Sequence, residues 1–160
     1  MGDTFEVTAT GFRELVAAIT AIEEEVKGPG LNRLAEQVGS ALLNRIRTRF
    51  LAETDPDGVE WEPSIAGQIR KAGGKTYRDG KGYSGTGTLF ETGALFHSIQ
   101  LGEASGGEIN IGTDIPYASR LQKGEDGLPA RVFLGFGGDD VQFAEDVIHQ
   151  RIEEILRGKT

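Results

Sequence analysis

Residues 97–112 read HSIQLGEASGGEINIG. Apolar and polar positions alternate over 97–101 and again over 108–112, the two-residue period of half-buried strands. Ala104-Ser105-Gly106-Gly107 between them offers the small residues of a hairpin turn. The hairpin sits among helical patterns. Upstream, Leu31, Leu34, Val38, Leu42, Ile46 and Phe50 recur at steps of three and four and predict a helix. Before it, Phe12, Leu15, Val16, Ile19, Ile22 and Val26 predict another, stopped by Gly28-Pro29-Gly30. Residues 4–8 alternate like a short strand. Downstream, 89–95 reads as a short helix or turn, 117–122 as one or two helical turns, and 130–136 as a strand. A last helix carries the stripe Val141, Ala144, Val147, Ile148, Ile152, Ile155 and Leu156, capped by Asp139 or Asp140. The predicted fold class is α+β. A small, mostly antiparallel sheet is flanked by two N-terminal helices and a C-terminal helix, in one domain spanning 1–160 without repeats.

Residues 55–88 break the pattern. Asp55-Pro56-Asp57-Gly58 is a turn by composition. Seven glycines then mix with Arg70, Lys71, Lys75, Arg78 and Lys81, and no apolar period is evident. The expectation is a long flexible basic loop or arm, poorly ordered in the free subunit, whose cations are candidate partner contacts. Arg45, Arg47 and Arg49 read as a solvated helix end, favoured there by the helix dipole.

The chain has 160 residues, 24 of them glycine, no cysteine and a formal charge of −8. Absent cysteine removes disulfides, thiolate metal sites and thiol nucleophiles. The acidic balance argues against a surface devoted to nucleic acid. No apolar run approaches a membrane span, and no signal peptide is visible. Gly74-Lys75-Thr76 imitates the end of a phosphate-binding loop, but Ile69 stands where the first glycine belongs. Glu53, Asp55, Asp57 and Gly58 imitate a calcium loop, but its closing carboxylate would fall at Ser64. Glu145, His149 and Glu153 share a helix face and read as an exposed polar surface. Gly85-Thr86-Gly87 lacks the rest of a dinucleotide fingerprint. His97 has no evident catalytic partner. The expectation is no enzyme, no cofactor and no metal.

Several blocks stand in a telling order: Asp55-Pro56-Asp57-Gly58-Val59-Glu60-Trp61; Thr92-Gly93-Ala94-Leu95-Phe96-His97-Ser98-Ile99; Ile111-Gly112-Thr113 followed by Tyr117-Ala118; Gln122-Lys123-Gly124; and Pro129-Ala130-Arg131-Val132-Phe133-Leu134-Gly135. Together they resemble the phage virion-morphogenesis family, which includes tail-completion proteins of contractile-tailed phages. The resemblance spans about residues 40–157, and the N-terminal strand and helix also look like the start of related head–tail joining proteins. Arg120-Leu121 before Gln122 departs from the family's histidine-containing pattern, and Val132 replaces a more usual proline.

The resemblance implies a structural virion protein, made in the host cytoplasm. It would form a homo-oligomeric ring, with a hexamer expected, at the tail's head-proximal end or neck. Tail tube or sheath and connector proteins would be its neighbours, and DNA would pass through the lumen without specific binding. A head-completion or connector-adaptor protein is the alternative, and a nucleic-acid module using the basic arm is another. Trp61, Gly93, Gly112, Tyr117, Gly124 and Pro129 are the candidate anchors of fold and loops. Trp61 has a large ring to bury, and Gly93 and Gly112 suit unusual dihedrals or close backbone approach. Phe133 and Leu134 point to opposite strand faces, one toward the core and the other toward a neighbouring subunit.

Overall fold

The computed structural model describes residues 17, 20–24, 26–78, 81–83 and 87–158. The expected strand at 4–8 and most of the first helical stripe lie outside the described residues; 20–24 are helical. Gly28-Pro29-Gly30 opens a helix. The chain turns at Val26 and Lys27, and α1 runs Gly28–Ala52 with proline in its first turn. There a missing backbone N–H costs nothing, because the first turn's N–H groups have no helical partner.

α1 buries Leu34, Ala35, Leu43, Ile46 and Phe50. Its stripe also holds Gly39, where a Cβ would lie 3.0 Å from Ile109 Cγ2 and from Leu101 Cδ2. That glycine lets the predicted hairpin lie directly on the helix. The hairpin's strands, β3 (Gln100–Leu101) and β4 (Ile111–Gly112), are antiparallel, with Leu101 opposite Ile111 and an isolated bridge between Ser105 and Glu108. Both are shorter than predicted; β3 starts late because His97 and Ser98 belong to a short helix, α3 (Ala94–Ser98). α4 (Ala118–Lys123) follows, and α5 (Gly138–Arg157) packs along α1. The predicted strand at 130–136 has no ladder partner among the described residues.

Phe50 is the centre of the core. Trp61 meets it edge-on at 5.4 Å between ring centroids, and Phe133 does so at 5.8 Å. Phe96 leans on it at 5.6 Å. Leu43, Ile46, Leu95, Ile99 and Ala118 complete the cluster. Each large side chain fully buried there contributes roughly 1.5–3 kcal/mol of transfer free energy.

The expected long flexible basic loop is not what the described residues form. Ser64 caps α2 (Ile65–Lys71), accepting a hydrogen bond from Gly67 N at 2.9 Å. A second antiparallel hairpin follows, β1 (Thr76–Arg78) with β2 (Lys81–Tyr83). The helix is hidden from a periodicity search because its inward face carries Gly67 and Arg70, while Ile65 and Ile69 face outward.

Arg70 is 7% exposed. Its Nε and Nη2 donate to Gly87 O at 3.0 and 2.6 Å, Nη2 also to Thr88 O at 3.2 Å, and Nη1 to Thr76 Oγ1 at 3.1 Å. Glu91 Oε1 lies 3.7 Å from Nη1. Lys71 pairs with Glu53 at 2.7 Å, and Glu53 accepts from Thr88 N at 2.7 Å. One arginine and one glutamate thus tie both ends of the segment to the end of α1.

Candidate assembly surfaces and the core that holds them

The quoted blocks converge on Phe50. Asp55 Oδ1 accepts from Asp57 N at 2.9 Å and Val59 N at 2.8 Å, closing the turn that delivers Trp61. The indole donates to Val132 O at 3.2 Å, so its polar edge is satisfied inside the core. Pro56 packs under the glycines of 135–137; a Cβ on Gly137 would stand 3.0 Å from the Pro56 carbonyl carbon.

Gln122 explains why 130–136 stays extended without a strand beside it. Its Oε1 accepts from Phe133 N at 3.0 Å and Leu134 N at 3.1 Å, and its Nε2 donates to Leu134 O at 2.5 Å. One side-chain amide takes the place of a neighbouring strand. Arg131 N donates to Leu121 O at 2.9 Å, and Arg131 Nε to Glu62 O at 2.9 Å. Ser98 Oγ and Thr113 Oγ1, 2.5 Å apart, join α3 to the segment after β4.

Arg45, Arg47 and Arg49, near the end of α1, are not a solvated helix end. Asp140, in the first turn of α5, has a side chain only 1% exposed. Arg45 Nε donates to its Oδ1 at 2.7 Å, Arg49 Nη1 to its Oδ2, and Gly137 N to Oδ2 at 3.0 Å. Arg49 also reaches Gly135 O at 2.9 Å, and Arg47 reaches Ile99 O at 2.9 Å. Burial alone would raise the Asp140 pKa, but the bonds from Arg45, Gly137 and Arg49 prevail and hold it below the usual value. Glu53 behaves alike: burial opposes ionisation, and Lys71 and Thr88 outweigh it. Sequence offered one signal for the clamp, arginines four apart on α1, but their acid lies 91 and 95 residues away.

Arg70 is buried and Lys71 is paired, so neither is a free contact for a partner. Lys75 is exposed, and Arg78 is the backbone partner of Lys81 in the β1–β2 register. Phe133 is buried in the core, which leaves it no surface to offer a neighbour; Leu134 is half-buried against that core.

Trp61 is buried, and Tyr117 stands exposed just before α4. Gly93 has φ +81°, and a Cβ there would touch the His97 ring at 3.0 Å. Gly124 ends α4 at φ +73°, where a Cβ would lie 2.8 Å from Ala130 Cα. Pro129, half-buried, follows in the bend that leads back to Arg131. Gly112 departs from expectation: its φ is not left-handed, and a Cβ there would meet nothing within 4 Å. Glu145, His149 and Glu153 are exposed on α5, and no cluster of three metal-ligating side chains occurs among the described residues. No helix among the described residues is long and apolar enough to cross a membrane.

The sequence pattern described as the Phage virion morphogenesis family matches residues 11–153. The chain belongs to that family. Its members are structural proteins of the phage tail. The chain is also similar to "Tail completion protein S" of Escherichia phage P2. The two are 25% identical over 146 residues, covering 89% of this chain and 97% of the phage P2 protein. No solved structure matches the chain.

Proposed function

We propose that this chain is a non-enzymatic ring subunit at the head-proximal end of a phage tail, where it completes the tail and provides the joint for the head. One observation carries the reading. Of the residues in the blocks that carry the resemblance, Trp61, Ile99 and Phe133 lie in one core, and Gln122 and Arg131 hydrogen-bond the backbone of the segments that bring them there. An enzyme of this size would direct some of its marker residues into a cleft as nucleophile, base or metal ligand. Here the burial of those residues supports a rigid body whose exposed faces make the function. The name and full-length match of the phage P2 relative support the tail-completion role.

Depletion tests the proposal. A phage unable to make the protein is expected to accumulate full heads and separate unfinished tails, and supply of the protein in trans is expected to restore joined particles. Joined, infectious particles at normal yield without it would refute the role.

A further inference from the structure

α2 adds no side chain to the core. The apolar cluster around Phe50 draws on residues 43–61 and 89–134 and takes none from 64–76. α2 buries only Gly67 and Arg70, while Ile65 and Ile69 are 79% and 42% exposed. What holds the helix down is polar. Arg70 bonds the Gly87 and Thr88 carbonyls and Thr76 Oγ1, and Lys71, about half exposed, pairs with Glu53. Gly67 lets α2 lie on Thr88, since a Cβ there would stand 2.7 Å from the Thr88 Cα. Beside that contact the helix is not packed. An open cleft of about 340 Å³ is lined by Ala66 and Arg70 of α2 and by Leu89, Leu95, Tyr117 and Leu121 of the body. Past the end of α2, Gly73 has φ +79° and open space around its Cα. A glycine so placed can absorb a large dihedral change.

We infer that α2 is a lid, latched by Arg70 and Lys71, that lifts from the cleft as one unit while the core stays folded. A segment's local stability follows the apolar surface it buries, and α2 buries little. Each latch bond that breaks is exchanged for bonds to water, so opening costs far less than unfolding. Lifting uncovers Thr88, which is 6% exposed with the lid shut, and widens the cleft toward Leu89 and Leu121. Access to the cleft is then set by the latch. Anything that binds there only with the lid open shifts the population toward the open state. The inference concerns the free subunit and does not depend on the ring reading.

Hydrogen exchange and a single thiol test this on the full chain. In the parent, the amides of Ile69, Arg70 and Lys71 are expected to exchange at least about a hundredfold faster than those of Ile46 and Phe50 in α1. Low urea is expected to leave the α2 rates unchanged, since a local opening exposes little surface. Fraying of a short helix would exchange in the same way, so the second readout is the surface beneath it. The chain has no cysteine, and Thr88→Cys places one thiol under Gly67 while keeping the backbone N–H that Glu53 accepts. A small disulfide reagent is expected to label that thiol without urea, more slowly than an exposed thiol. Adding Arg70→Ala is expected to speed the labelling at least about tenfold, because several latch bonds are gone. A thiol that stays unlabelled until the core unfolds overturns the lid, as do α2 amides that exchange only together with those of α1. Labelling as fast as an exposed thiol shows that α2 covers nothing and also overturns it. An unchanged rate with Arg70→Ala refutes the latch.

Discussion

The Asp140 carboxylate sits between two arginines and a backbone amide with almost no contact with water. Removing it leaves two guanidinium groups facing a dry pocket. Asp140→Ala is therefore expected to cost toward the lower end of about 3–5 kcal/mol, because Arg45 keeps part of its hydration; chemical denaturation measures it. The same site sets the response to acid. Asp140 and Glu53 both have folded pKa values below their ordinary ones. Their contribution to stability is full above the unfolded carboxylate value of about 4 and is lost as pH falls through the lower folded values. Urea midpoints taken from about pH 7 to about pH 3 should fall in that window, and less steeply for Asp140→Asn, which has no proton to bind there. Glycines separate just as sharply. Gly124→Ala meets both a positive φ and the Ala130 backbone and should cost more than about 1 kcal/mol, whereas Gly112→Ala should stay within about 0.5 kcal/mol. Both glycines look alike in sequence; only the space around a Cβ distinguishes them.

Elements were legible where their apolar faces point inward. α1, α5 and the β3–β4 hairpin announce themselves by stripes and alternation, and the α+β class follows from them. α2 was illegible because its inner face is a glycine and an arginine, and 130–136 read as a strand because its extended backbone is bonded by Gln122 rather than a ladder. The correction changes what a deletion does. Replacing only residues 77–83 with a short linker keeps Thr76 as the partner of Arg70 and should leave the melting temperature near the parent's, since loop closure changes by well under 1 kcal/mol. Removing 65–86 strips Arg70 from the Gly87 and Thr88 carbonyls and Lys71 from Glu53, and should lower the melting temperature clearly. Trp61→Ala removes the ring that pins the 55–60 turn to Phe50 and is expected to cost about 3–5 kcal/mol; thermal and urea melts rank all three.

At the scale of the whole molecule, family membership fixes a structural role in the phage tail. Trp61, Ile99 and Phe133, from the blocks that carry the resemblance, are interior, and packing constrains the surface far less. That is also why the candidate contacts were the least legible part of the sequence. A basic residue looks the same whether it stands exposed, as Lys75 does, or closes on its own backbone, as Arg70 does. The most direct test of the central claim is electron microscopy of purified tails carrying a gold-labelled tag on this chain. The account predicts label at the head-proximal end of each finished tail and at the junction in joined particles. Label along the tail shaft or at its distal end, or finished tails with no label, would contradict it.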